Sequence, residues 1–398
     1  TPSATGYELS IYEAYPIDLW ILISANIVFS LYAIICSCHT RSKSLYYGYM
    51  SVIVMESVIL LLPIIRGYYA MNRGAGDLYF HLSQINLITN YSFLPQENIY
   101  PMMHGLISTL KITSGEIDTI SLCSSVSVIF FILYLLYLYV LGKAVLGTNL
   151  GGTIFSLFGI PLIFSYAHYA FYPFFFALFM FPLVFYTYHK LLILKRKREY
   201  YICIVLLSFF IVFCHPLVSI FLLISFLLFA GGQLYTERKN PFSLSKITII
   251  GVFTTVCVIF LFWFIQSISL LKTFSHVITT MVGQYAETTI AETQMNIVSS
   301  SDASLLIRGE YVIRLYGPIF FYFLISSLFL LYLIKQYWFS KRIPEIDPIY
   351  AMQLCVAFSV GTALISGFFV IAEPIRAMGY GLIFATVACG IFLYRSWP

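Results

Sequence analysis

Residues 66–110 read RGYYAMNRGAGDLYFHLSQINLITNYSFLPQENIYPMMHGLISTL, a long polar interruption in an apolar chain. Two hydrophobic runs precede it and many follow. Runs near twenty residues match the thickness of a bilayer as helices, so this stretch is a loop between membrane spans. Polar residues are costly beside a bilayer and tend to mark function there.

The rest of the chain supports that reading. It has 398 residues, 60% of them hydrophobic and only 10% charged, with a mean hydropathy of +0.89. A water-facing surface for a chain this long needs far more charge, so a polytopic membrane protein is expected. Repeated apolar runs favour helices over a barrel. Candidate spans fall near 18–38, 49–66, 120–142, 150–168, 170–189, 200–214, 216–234, 247–270, 313–334, 350–371 and 377–394, about eleven in all. Pro161, Pro173, Pro182 and Pro216 predict kinks. The eight cysteines lie in or at the ends of apolar runs, which argues against a disulfide framework or a zinc site. No basic segment precedes the first run, so no signal peptide is expected within the chain.

Lysine and arginine set the orientation. With the first inter-helix loop (Arg41, Lys43) placed inside, alternation puts Lys143, Lys190, the KRKR run at 195–198 and the later basic loops there too. That assigns fifteen of the 22 basic residues to the inner side. The positive-inside rule then places the N-terminus outside and the C-terminus in the cytoplasm of a multi-pass cell-membrane protein. Two outer loops are long, at 67–119 and 271–312. The inner ones are short and basic, so a single transmembrane domain over 1–398 with no separate soluble domain is expected. Chemistry then faces outward or sits in the membrane, and no nucleic acid partner is expected.

In the first outer loop, Asp77, His81 and Gln84 fall at i, i+4 and i+7, on one face of a helix. Leu78, Leu82 and Ile85 repeat the spacing on the adjacent face, the pattern of an interfacial amphipathic helix with its apolar side in lipid. Pro101 opens a second short helix over 102–110. In the second outer loop Asp302 reads as the cap of a helix carrying Arg308, Glu310 and Arg314.

Asp77, between a glycine turn and a helix, suits a general base whose partial desolvation brings it toward the working pH; helix capping is the structural alternative. His81, His104 and His215 can each be a substrate contact or a packing residue. Asp77 and Glu310 could share a hard divalent cation such as Mg or Mn, although no cofactor is demanded by the spacing. Arg308, Arg314 and Arg376 offer guanidinium forks to a phosphate, or, for Arg376, a salt bridge to Glu373. Glu56, inside the second span, is expected to hydrogen-bond a neighbouring helix.

The stretches GDLYFHLSQINLI and NIYPMMHGLIST, after an acid-bearing outer loop, resemble archaeal and bacterial integral-membrane glycosyltransferases of the GT-C superfamily. The resemblance covers roughly residues 66–120. It implies that Asp77 is the catalytic base, with His81 and His104 at polar positions near it. It implies that Arg376 meets a donor phosphate. Independently of the resemblance, Arg308, Arg314, His215, Glu310 and Glu373, all assigned to the outer side, are expected as further substrate contacts. The expected partners are a polyprenyl-phosphate-linked sugar donor, an acceptor that is lipid, glycan or protein, and membrane lipid. A surface-glycan polymerase or ligase using the outer-loop arginines, and a lipid-linked-sugar transporter or flippase, are the competing expectations.

Overall fold

The computed structural model describes residues 14–40, 43–66, 75–160, 171–193, 197–236, 244–272, 275, 320–335, 356 and 374–396. Among them there are helices and connecting turns but no strand. Lipid offers no partner for a backbone amide, and a helix satisfies every N–H and C=O within itself. The protein is an all-α membrane protein.

The helices are α1 (Ile17–Thr40), α2 (Ser44–Arg66), α3 (Ala75–Tyr91), α4 (Pro101–Ser114), α5 (Thr119–Leu146), α6 (Asn149–Gly159), α7 (Pro173–Phe179), α8 (Phe181–Ile193), α9 (Lys197–Cys214), α10 (Pro216–Thr236), α11 (Leu244–Gln266), α12 (Phe320–Lys335) and α13 (Pro374–Ser396). Four begin on a proline: α4, α7, α10 and α13. At a first helical position the missing N–H is no loss and the fixed φ is already helical. Pro173 and Pro216 therefore start helices where kinks were expected, Pro182 is the second residue of α8, and Pro161 lies outside the described residues.

Among the described residues four stretches are long and apolar enough to cross a membrane: Ile17–Ser37, Ser44–Ile65, Thr119–Leu146 and Pro173–Leu192. Pro216–Gly231, Ile250–Gln266, Phe320–Lys335 and Gly379–Arg395 are shorter apolar helices. The outward surfaces fit this reading. Leu22, Phe29 and Tyr32 on α1 are each about two-thirds exposed, a density of bare apolar side chains that water would not tolerate. The span expected at 170–189 is two consecutive helices, α7 and α8, separated at Met180. The described part of the run expected at 150–168 is α6, whose 11 residues extend only about 16 Å against a bilayer core of about 30 Å. The run at 350–371 lies outside the described residues apart from Val356.

The chain separates into two compact units, Thr1–Pro95 with Pro101–Phe179, and Gln96–Tyr100 with Met180–Pro398. In the first, α1 and α2 form an antiparallel pair. The Tyr15 hydroxyl donates to the Leu62 carbonyl (2.8 Å) and Ser51 to the Asn26 side chain (2.8 Å). In lipid such bonds and close backbone approach hold helices together, since no water is expelled when apolar faces meet. α2 then meets α5 and α6: Tyr49 stacks on Tyr139 at 5.1 Å and donates to Ser156 (2.9 Å). The α5–α6 pair is tied by Gly147, which takes the left-handed conformation (φ 74°), and by Thr148, whose side chain accepts the Gly151 amide (3.0 Å).

In the second unit α13 is the core element. From Tyr380 to Ile391 every side chain is buried, as expected of a helix apolar all round. Tyr380 stacks on Phe221 (4.4 Å) and its hydroxyl lies 2.8 Å from that of Ser225, while Phe384 packs on Phe185 (5.2 Å). The Cys389 thiol reaches the Tyr322 carbonyl of α12 (3.7 Å).

Candidate functional site

The polar interruption folds into two helices. α3 has 17 residues and α4 has 14, about 26 and 21 Å, so neither spans a bilayer. They pack against each other, and α4 packs on α5. Pro101 begins the second helix, as the sequence suggests, and it continues to Ser114.

Where they meet, His81 of α3 and His104 of α4 come together. Nδ1 of His81 lies 2.8 Å from Nε2 of His104, with ring centroids 5.1 Å apart. One nitrogen must donate and the other accept, so a single proton is shared between two neutral rings. Both rings are buried, His104 completely. Phe80 stands edge-on to both, and Phe171 edge-on to His81 (5.4 Å). Below the pair, the buried Ser108 hydroxyl donates to the His104 carbonyl (2.7 Å) and, across the hairpin, toward that of Ile85 (3.2 Å). One turn along α3 from His81, the amide oxygen of Gln84 is buried with no hydrogen-bond partner.

This places the faces of α3 differently from the sequence expectation. Ile85, assigned to the lipid side with Leu78 and Leu82, is fully buried beside His81, and the exposed stripe is Tyr79, Ser83, Asn86 and Asn90. The reason is α4. The His81–His104 bond and the Ser108–Ile85 contact turn Ile85 inward, which the pattern of one helix cannot reveal.

No protein-family model matches the chain, and no curated protein matches its sequence.

Asp77 is the third residue of α3, four residues before His81. The helix is described from Ala75, which puts Asp77 in its first turn. His215 follows the last residue of α9, buried, with its ring stacked on Tyr100 (5.2 Å). Asn98 shapes that segment, its side-chain oxygen accepting the Tyr100 amide (2.9 Å). The structure thus joins His81 to His104 and assigns His215 to the other unit. Arg376 is the third residue of α13. Arg308, Glu310, Arg314, Glu373 and the helix expected from Asp302 lie outside the described residues. Among the described residues no three His, Cys, Asp or Glu side chains converge as metal ligands do. Sequence reasoning passed over Phe80, Ser108 and Phe171; apolar and hydroxyl residues of this kind carry no signal until their neighbours are known.

Burial pulls the His81 ring down to about 4, and burial followed by the neighbouring His81 pulls His104 down to about 3. Between those values and the ordinary 6.5, the folded hairpin holds fewer protons than the unfolded one. Stability is therefore complete above pH 6.5 and is lost as pH falls through the folded values. Amide exchange at Ile85 and Ile107, corrected for its intrinsic rate, should accelerate from pH 6.5 down toward 4 and lose that dependence in a H81Q/H104Q variant. Protection unchanged over the range would mean that the neutral pair does not hold the hairpin.

Proposed function

We propose that the chain is a GT-C-type membrane glycosyltransferase that moves a sugar from a polyprenyl phosphate or diphosphate to an acceptor on the extracytoplasmic face. The observation that supports this best is the α3–α4 hairpin. It combines two helices too short to cross, an acid in the first turn of α3, and a buried neutral imidazole pair one turn on. Eleven spans, with the N-terminus outside and the C-terminus in the cytoplasm, would set the hairpin on the outer face.

The reaction follows from these groups. Asp77 takes the proton from the acceptor hydroxyl as its oxygen forms a bond to the anomeric carbon. The bond from that carbon to the phosphate oxygen breaks, inverting the centre, and polyprenyl phosphate or diphosphate leaves with the electron pair. Arg376, helped by Arg308 or Arg314, holds the donor phosphate equally before and during transfer through charge-assisted hydrogen bonds. Holding both lipid-borne substrates at one interface supplies much of the rate. Asp77 and Glu310 are the groups for a divalent cation if chelation stops the reaction.

The test is incubation of the full chain in nanodiscs with labelled polyprenyl-phosphate and diphosphate sugars and candidate acceptors. Label leaving the lipid supports the reading; label that stays on the lipid across the whole panel overturns it. Arg376→Ala should raise the apparent KM for the lipid-linked donor by roughly 10- to 100-fold with kcat little changed, the loss of one charge-assisted contact. An unchanged KM would remove Arg376 from the donor site.

A further inference from the structure

Glu56 lies near the middle of α2, inside a stretch long and apolar enough to cross the membrane. It belongs to a buried stripe of Tyr49, Ile53, Glu56, Leu60 and Pro63, one face of the helix. At one end of that stripe Tyr49 stacks on Tyr139 of α5 and bonds Ser156 of α6, so the stripe turns toward α5 and α6, away from lipid. Glu56 is only 6% exposed, and its Oε2 has no hydrogen-bond partner. That oxygen does not make the interhelical hydrogen bond expected from the sequence.

Among the described residues, neither α1 nor α5 supplies a countercharge. α1 carries no lysine or arginine. Between its two polar ties to α2, at Tyr15 and Asn26, its titratable group is Asp18, which is exposed. The lysine of α5, Lys143, is exposed and lies beyond the Tyr139 stack. The other titratable groups of α5, Cys123, Tyr134, Tyr137 and Tyr139, are neutral at ordinary pH. A hard metal cation needs about six oxygens around it, whereas Glu56 Oε2 has not even one hydrogen-bond partner. An isolated carboxylate in such a place costs far more than the neutral acid.

We propose that Glu56 is a proton-binding site within the membrane, a carboxyl held neutral by the α2–α5 contact that ionises only when that contact opens and admits water. The ligand is a proton. Its release and the separation of two helices are then one event, independent of any sugar chemistry at the outer loops.

Infrared spectroscopy of the full chain in nanodiscs at neutral pH tests this, because exposed carboxyls are ionised there and give no protonated-acid carbonyl band. The expected result is such a band in the wild type, lost in Glu56→Gln. Where the glutamine variant does not fold, Glu56→Asp should shift the band instead. A wild-type spectrum without the band, or a band untouched by either substitution, overturns the proposal. In parallel, dicyclohexylcarbodiimide, a lipid-soluble reagent for protonated carboxyls, should label the 44–66 peptide. Protection by sodium ions would assign the site to a metal cation and overturn the proton reading.

Discussion

Replacing Asp77 with asparagine is expected to lower sugar transfer by roughly 100- to 10,000-fold, the range for loss of a general base, while donor binding and unfolding stay as in the wild type. Asparagine keeps the size and polarity of the side chain but cannot accept the hydroxyl proton. The structural cost should be small. Asp77 lies in the first turn of α3, where a charge lost at a helix start costs about 0.3–1 kcal/mol. That separation makes the variant informative. Near-normal transfer would eliminate the base role. A collapse of both transfer and folding would return Asp77 to a structural part, and the search for a base would move to His81. Measuring transfer, donor affinity and thermal unfolding on the same preparation distinguishes the three.

The second large effect concerns stability. A Cβ on Gly152 would sit 2.6 Å from the Tyr139 carbonyl oxygen, and one on Gly142 would sit 2.6 Å from the Gly151 carbonyl oxygen. Both obstacles are backbone and cannot swing aside, so even alanine forces α5 and α6 apart. Alanine in a helix gains about 1 kcal/mol over glycine, but overpacking costs about 1–3 kcal/mol or more. Separation would also strip the close contacts that hold helices together in lipid. Gly142→Ala and Gly152→Ala should each lower the midpoint of detergent-induced unfolding, and the leucine variants should prevent folding. Gly231→Ala is the matched control: nothing lies within 4 Å of its added carbon, so it should be neutral or slightly stabilising. Equal behaviour of all three alanine variants would mean that the α5–α6 contact is looser than drawn.

Much of the fold could be read from hydropathy because a bilayer imposes one length on whatever crosses it. Ile17–Ser37, Ser44–Ile65 and Thr119–Leu146 stand within a few residues of the runs expected near 18–38, 49–66 and 120–142. Pro101 marked α4 correctly because its backbone preference is local. The break at Met180 falls two residues before Pro182, one of the prolines that predicts a kink, but its exact place was not legible, since α7 and α8 are equally apolar. The meeting of His81 and His104 was hidden for a different reason. Twenty-two residues lie between them, including the irregular turn from Ser92 to Tyr100, and sequence spacing does not fix how two helices align across such a turn. Glu56 shows the converse. Its position within a span was plain, but the absence of a partner is a property of three helices together.

The close fit of α5 and α6 bears on how the chain reaches its membrane. Leu146 and Asn149 are separated only by Gly147 and Thr148, so the contacts between the two helices are among near neighbours in the chain and need little loop closure. As the polypeptide emerges, this hairpin can zip while everything beyond Ile160 is still being synthesised. The segments that arrive later, α13 last of all, would then meet a half already set, and biogenesis would proceed from the amino-terminal side.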